Sequence, residues 1–212
     1  VRCSDNTPLL ALLLHGPPGC GKTALAAHLA RKSDYPFVRR IASENYVGYS
    51  EQAKVNAITK VFEDAYKSPL SLVVLDDLER LLDYVRVGPR FNNPLLQAMF
   101  ALVKKQPPKI GRRLLVIGTT SEPGFLEEVE LFRAFNVGLR VPTLTSPEHF
   151  KLVLQGLAGF SPQAVQEICA ALGTRQVGIK TLLLIAEMAV QRQNPVQKEV
   201  FMQCLQQCGH PW

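Results

Sequence analysis

The sequence has no C-x-x-C pair, and its five cysteines (Cys3, Cys20, Cys169, Cys204 and Cys208) form no framework. That usage argues against a disulfide-stapled secreted scaffold and suggests a reducing compartment. Cys204 and Cys208 lie four apart on one helical face with His210 close by, but a fourth ligand for zinc is missing. The apolar run from Pro8 to Leu14 is too short to span a membrane and lacks the layout of a signal peptide. Internal repeats and low-complexity tracts are missing too. So is an initiating methionine, and the start at Val1 reads as a piece of something longer. A net charge of +6 and a pI near 9.2 favour anionic partners. The basic residues, however, form only short pairs (Arg39-Arg40, Lys104-Lys105, Arg112-Arg113), which read as solvated faces and element ends. Without a basic stripe interleaved with aromatics, nucleic acid is not expected as a partner.

The chain does have the size and balance of a packed globular protein. Its 212 residues make one large domain, or one with a small appendage. A chain of that length buries about 70% of its unfolded surface and needs no disulfide or metal to fold. Hydrophobic content of 47% and charged content of 20% are ordinary.

The most informative stretch is Gly16-Pro17-Pro18-Gly19-Cys20-Gly21-Lys22-Thr23, which satisfies G-x-x-x-x-G-K-[ST]. Its glycines let the backbone turn so that successive N–H groups cradle phosphate oxygens. Lys22 places a charge on the β- and γ-phosphates, and Thr23 offers a hydroxyl to magnesium. The buried run Leu9–Leu14 leads in as a strand. Thr23 to Arg31, beginning Thr23-Ala24, leads out as a helix with its positive end toward the phosphates.

Further along, strands are expected at Phe37–Ile41, Leu72–Leu75, Leu114–Ile117 and Val137–Val141. Between them come a helix from Ser50 over 51–67 with Val55, Ile58, Val61, Phe62 and Ala65 inward, and a helical stretch Leu78–Tyr84. A helix opened by Pro94 and another around Phe125–Ala134 follow. Apolar strands alternating with helices predict an α/β fold with a doubly wound parallel sheet. From Ser146 onward only helical periodicity remains, broken at Gly173, Gly178 and Asn194-Pro195. The reading is therefore an α/β nucleotide-binding part over 1–143 and an all-helical part over 144–212.

Asp76 closes a hydrophobic strand, the place for an acid that holds magnesium. Asp77 follows, where the second acid of a hydrolase polarises water. An aspartate is one methylene short of a glutamate there, which predicts weak activation. Thr120, expected past the end of its strand, is a candidate to touch the γ-phosphate or position water. Lys180, at a helix start that disfavours a cation, is a candidate to reach the phosphates, with Arg175 a weaker one. Strand ends in a doubly wound sheet share one crevice, so the loop, Asp76-Asp77 and Thr119-Thr120 are expected to form one site.

These motifs, together with an all-helical segment containing VGIK, resemble the AAA+ ATPases. Segments such as TPLLALLLHGPPGCGKTALAAHLA, VFEDAYKSPLS, DDLERLLDYV, GPRFNN and LLVIGTTS resemble more specifically the second ATPase domain of the N-ethylmaleimide-sensitive, vesicle-fusing branch of that family. The resemblance covers nearly the whole chain. It implies ATP with Mg2+ as cofactors, a homo-hexameric ring cemented by ATP that is hydrolysed slowly, and a cytoplasmic protein peripherally associated with membranes through partners. SNAP adaptors and SNARE complexes would be engaged by the complete protein. It places Gly16–Thr23 at the Walker A loop, Asp76-Asp77 at Walker B, Thr120 at sensor 1, and Lys180 at sensor 2. Thr7 to Leu9 and Gly178-Ile179 stand where adenine is held. The arginine-finger positions fall on Leu131 and Ala134, with Arg133 one place off, which also predicts slow turnover. Tyr46-Val47-Gly48 points the other way. It matches an AAA+ pore loop and supports an active threading motor. Cys20 within the loop predicts sensitivity to thiol alkylation.

Overall fold

The structure, a computed structural model, describes residues 7–88 and 90–208. Cys3 and His210 lie outside the described residues, so the structure does not speak to their readings. Five parallel strands, β1 (Leu9–His15), β2 (Phe37–Ala42), β3 (Leu70–Asp76), β4 (Arg113–Thr120) and β5 (Val137–Arg140), form one sheet in the order β2-β3-β4-β1-β5. The central strands are buried on both faces, as their unbroken apolar runs require. On β3, Val73 and Leu75 join Ile58, Phe62 and Met99 in one core, while Leu72 and Val74 join Leu14, Ala26 and Ile117 in another. The helices supplying those residues are α1 (Lys22–Lys32) for the second core, and α2 (Glu51–Ala65) and α4 (Asn93–Lys104) for the first. This is the doubly wound α/β sheet that the alternation of elements predicts.

The described residues group into two compact units. Of the described residues, one comprises 7–16 with 22–88 and 90–141, and the other 17–21 with 142–208. The second consists of the loop residues Pro17–Gly21 and four helices, α6 (Pro147–Gln155), α7 (Pro162–Leu172), α8 (Ile179–Arg192) and α9 (Lys198–Gln207). Its own core holds Phe150, Ile168, Leu182, Ile185 and Phe201. Side-chain caps start several helices. Ser50 Oγ accepts from Ala53 N at 3.3 Å, Ser146 Oγ from His149 N at 3.3 Å, and Ser161 Oγ from Ala164 N at 3.1 Å. No helix among the described residues is long and apolar enough to cross a membrane.

Several elements differ from expectation for identifiable reasons. The helix after Asp77, α3, stops at Leu81, because Asp83 turns left-handed (φ 55°) and takes the ammonium of Lys54 at 2.9 Å. Lys54 is accordingly buried on the inner face of α2, while Val55 and Val61 are only half-buried. A lysine can lie there because its tip meets a carboxylate while its stem packs. The helix α4 is capped by Asn92, whose Oδ1 accepts from Leu95 N at 2.9 Å, one residue earlier than Pro94 suggests. The stretch Phe125–Ala134 divides into α5 (Pro123–Glu128) and a 3-10 turn Leu131–Ala134, because Glu130 takes a left-handed conformation between them.

Candidate nucleotide site

β1 ends at His15, and the loop leaves from Gly16, whose N–H donates to Thr120 O at 3.3 Å. Lys22 is buried (5% exposed) and its Nζ donates to Gly16 O at 2.9 Å, so the ammonium is held at the mouth of its own loop. Gly19 (φ +77°) and Gly21 (φ +92°) occupy backbone regions that side chains disfavour, which explains the glycines at those two positions. Pro17 and Pro18 are exposed, as are Thr23 and Ala24, whereas the thiol of Cys20 is buried. Within the second unit, the loop carbonyl Gly19 O accepts the backbone N–H of Lys180 at 3.0 Å. Gly178 caps the start of α8, and a Cβ there would lie 3.1 Å from Gly19 O. The absence of a side chain at 178 therefore allows the close approach.

Asp76 is the last residue of β3 and 2% exposed. Its Oδ1 accepts from Thr23 Oγ1 at 2.8 Å and from Thr119 Oγ1 at 2.7 Å. Its Oδ2 accepts from Arg40 Nε at 2.9 Å and Nη2 at 2.6 Å. Burial works to raise the pKa of Asp76, but the bonds from Thr119, Arg40 and Thr23 outweigh it and hold the carboxyl below its usual range. Asp77 behaves oppositely. Burial first, then the charges of Glu79 and Asp76, push its pKa up. Its backbone is left-handed (φ 51°, ψ 66°) and its N–H donates to Thr119 Oγ1 at 2.8 Å.

Thr119 and Thr120 are the closing residues of β4, not a turn beyond it. The structure corrects the expectation for Thr120. It is 0% exposed, and its hydroxyl donates to Glu79 Oε2 at 2.8 Å while accepting from Glu122 N at 3.0 Å. The neighbouring Thr119 points to the other side of the strand and reaches both aspartates, as the period of 2 requires.

Two contributors were not legible as site residues in the sequence, Arg40 and Glu79, whereas Thr119 was expected there only as a strand-end neighbour of Thr120. As half of the basic pair Arg39-Arg40, Arg40 reads as solvated, yet only Arg39 fits that reading, lying 5.7 Å over the Phe37 ring. Glu79 is buried and its two oxygens tie Thr120 Oγ1 and Ser121 N (2.9 Å) to α3. The acid two places after Asp77 was the available signal for it, since it falls on the inner side of a short helix.

The remaining candidates are dispersed. Tyr46 is half-buried, packs against the core and meets the Tyr49 ring edge-on at 5.7 Å. Val47 (81% exposed) and Tyr49 (53%) are the prominent side chains of that loop. Leu131 and Ala134 are buried in the core, and Arg133 is exposed with Glu130 at 3.9 Å.

The donor set suits a small hard cation. Thr23 and Asp76 present oxygen to oxygen at 2.8 Å. Among the described residues no group of three or more His, Cys, Asp or Glu gathers to cage a metal alone. A magnesium that keeps waters and shares phosphate oxygens needs no such cage.

The model of the ATPase family associated with various cellular activities (AAA) matches residues 12–143. The chain is 46% identical over 193 residues to a vesicle-fusing ATPase of Dictyostelium discoideum, covering 91% of this chain and 26% of that protein. It is 47% identical over 194 residues to a vesicle-fusing ATPase of Arabidopsis thaliana, covering 92% and 26%. To the vesicular-fusion protein SEC18 of Saccharomyces cerevisiae it is 40% identical over 205 residues, covering 94% and 27%. The chain thus spans about a quarter of the length of these relatives.

Proposed function

The chain belongs to the AAA ATPase family and is an ATPase, and from that premise we propose that it is the second ATPase domain of a vesicle-fusing ATPase, where ATP cements a homo-hexameric ring and is hydrolysed slowly. Residues 1–143 form the nucleotide-binding subdomain and 144–212 the helical lid. The loop from Gly16 to Ala24 wraps the phosphates, its N–H donors coming from Gly19 onward because Pro17 and Pro18 have none, with Lys22 as the charged contact. Gly178 and Lys180, which meet the loop residue Gly19 within the second unit, are nucleotide-binding residues on this reading. Thr23 and Asp76 hold Mg2+, which when bound neutralises the phosphate oxygens. Thr119 orients both aspartates, and Thr120 acts at one remove, through Glu79.

The observation that carries slow turnover is the state of Asp77. It is an aspartate, its carbon chain is one methylene short, and its backbone is pinned in a left-handed conformation by the hydrogen bond to Thr119 at 2.8 Å. A carboxylate one methylene shorter than a glutamate on so constrained a backbone is expected to activate water weakly, because in-line attack demands placement within about 0.5 Å. Leu131 and Ala134, buried where a finger arginine would stand, support the same reading. In the complete protein the ring works on SNARE complexes through SNAP adaptors, in the cytoplasm, at membranes its partners bring it to.

Native mass spectrometry of the purified chain with ATP and Mg2+ tests the proposal. Six subunits carrying intact ATP are expected, and six carrying mostly ADP would overturn slow hydrolysis. A second reading, an active motor gripping polypeptide with Tyr46-Val47-Gly48, is favoured by the exposure of Val47 and Tyr49. In the full-length protein, unchanged substrate disassembly by Tyr46→Ala would remove it.

A further inference from the structure

Arg40 sits on the edge strand β2, where it pairs with Val74 of β3. Asp76 is two residues further along β3 and therefore on the same side as Val74. An arginine leaning along its strand spans that step, and its guanidinium bonds twice to Asp76 Oδ2, at 2.9 and 2.6 Å. The remaining arm, Nη1, donates to Glu44 Oε1 at 2.7 Å. The three groups form a gradient of exposure, with Asp76 at 2%, Arg40 at 47% and Glu44 at 62%.

The two oxygens of Asp76 have different partners. Oδ1 takes the neutral hydroxyls of Thr23 and Thr119, while Oδ2 takes the guanidinium. A buried carboxylate without a cation is costly, and Arg40 supplies that cation. A divalent ion bound at Thr23 and Asp76 supplies the same neutralisation more strongly. The two cations then repel across one carboxylate, and the weaker partner gives way.

We propose that Arg40 is the resident counter-ion of Asp76 and that Mg2+ arriving with nucleotide displaces it, Glu44 being the acid on which the released guanidinium rests. The proposal rests on the reading of Thr23 and Asp76 as the metal-holding pair. Its consequence is that metal affinity at this site is a difference between two pairings of Asp76, set partly by two residues that never touch the nucleotide. Removing Arg40 frees Asp76 for the metal, whereas removing Glu44 leaves Arg40 no second acid and holds it on Asp76. The two substitutions therefore move metal affinity in opposite directions, which a merely structural role for either side chain would not do.

Mn2+, followed by electron paramagnetic resonance, is titrated into the purified chain in excess over ATP, so that all the nucleotide is protein-bound. Arg40→Gln is expected to tighten Mn2+ by about five-fold, the scale of a well-formed but half-exposed ion pair. Glu44→Gln, at an exposed position, is expected to weaken it by about two-fold. Unchanged or weaker binding in Arg40→Gln, or unchanged or tighter binding in Glu44→Gln, overturns the proposal. Should Arg40→Gln fail to fold, the Glu44→Gln arm decides alone. A wild-type chain that binds ATP but takes up no Mn2+ would instead remove the metal-site reading itself.

Discussion

Thr119 links the two aspartates of the site through a single oxygen: its hydroxyl donates to Asp76 Oδ1 at 2.7 Å and accepts the backbone N–H of Asp77 at 2.8 Å. One side chain on β4 thereby sets the direction of one carboxylate and the backbone of the next residue. Thr119→Val keeps the shape and removes both bonds. It leaves the Asp77 N–H without its partner, and the expected loss of stability is about 1–3 kcal/mol. Urea unfolding of the two proteins measures it, and a loss below about 0.5 kcal/mol would show that water replaces the hydroxyl at little cost.

Lys22→Ala removes the ammonium that Gly16 O holds at the mouth of the loop. A charge-assisted contact of this kind supports an expected fall in ATP affinity of about 100-fold. On the proposed function, ring assembly is expected to be lost with it. Titration calorimetry checks the first and native mass spectrometry the second. A hexamer that persists in this variant without nucleotide contradicts the cementing role of ATP.

Asp77→Asn is expected to change turnover by less than about two-fold, because an acid placed so short of the reaction contributes little to begin with. A steady-state ATPase assay on both proteins decides the matter. A drop of about 100-fold, within the range for removing a general base, would make Asp77 a competent catalytic acid.

The same substitution carries a pH signature. The pKa of Asp77 is raised in the folded chain by burial and by the charges of Glu79 and Asp76. A carboxyl with a raised folded pKa favours folding when protonated, below its unfolded value of about 3.9, and loses that contribution as pH rises through the folded pKa. At neutral pH the ionised group therefore disfavours the fold. Asp77→Asn is expected to be the more stable protein at pH 7, with the gap closing as pH falls below about 4. Thermal melts across pH 3 to 8 read the difference, and a gap that widens toward acid would reverse the sign.

Gly118→Ala tests how tightly β4 is packed. A Cβ at that position would stand 2.8 Å from two ring carbons of Phe135 and 3.0 Å from Leu13 Cδ1. Overpacking of that degree is expected to cost about 1–3 kcal/mol. Urea unfolding checks it, and a neutral outcome would mean that the Phe135 ring, 8% exposed, swings aside freely.

Local chemistry made much of the fold legible. Ser50, Ser146 and Ser161 mark helix starts because a hydroxyl next to free N–H groups is a property of a few consecutive residues. The loop from Gly16 to Thr23 is legible for the same reason, as are the apolar runs of β1, β3 and β4, which admit no arrangement but burial on both faces. The ends of α3 and α5 were not legible, since Asp83 and Glu130 adopt left-handed backbones that nothing in their own residue types demands. Asp83 takes that form where Lys54, distant in sequence, meets it.

Local residue patterns alone specify a phosphate loop after a buried strand, two acids closing another, and a helical segment after an α/β one. Which groups meet at the strand ends was decided only by the tertiary structure. Parallel pairing places Ala42 beside Asp76 and Leu75 beside Gly118, residues more than 30 positions apart. That register brings Arg40 to Asp76 and sets Thr119 against both aspartates while Thr120 turns away to Glu79. Side chains alternate across a strand, so neighbouring threonines on β4 must part company. Which of them faces the acids depends on strand pairing across the sheet, and no local pattern in the chain encodes it.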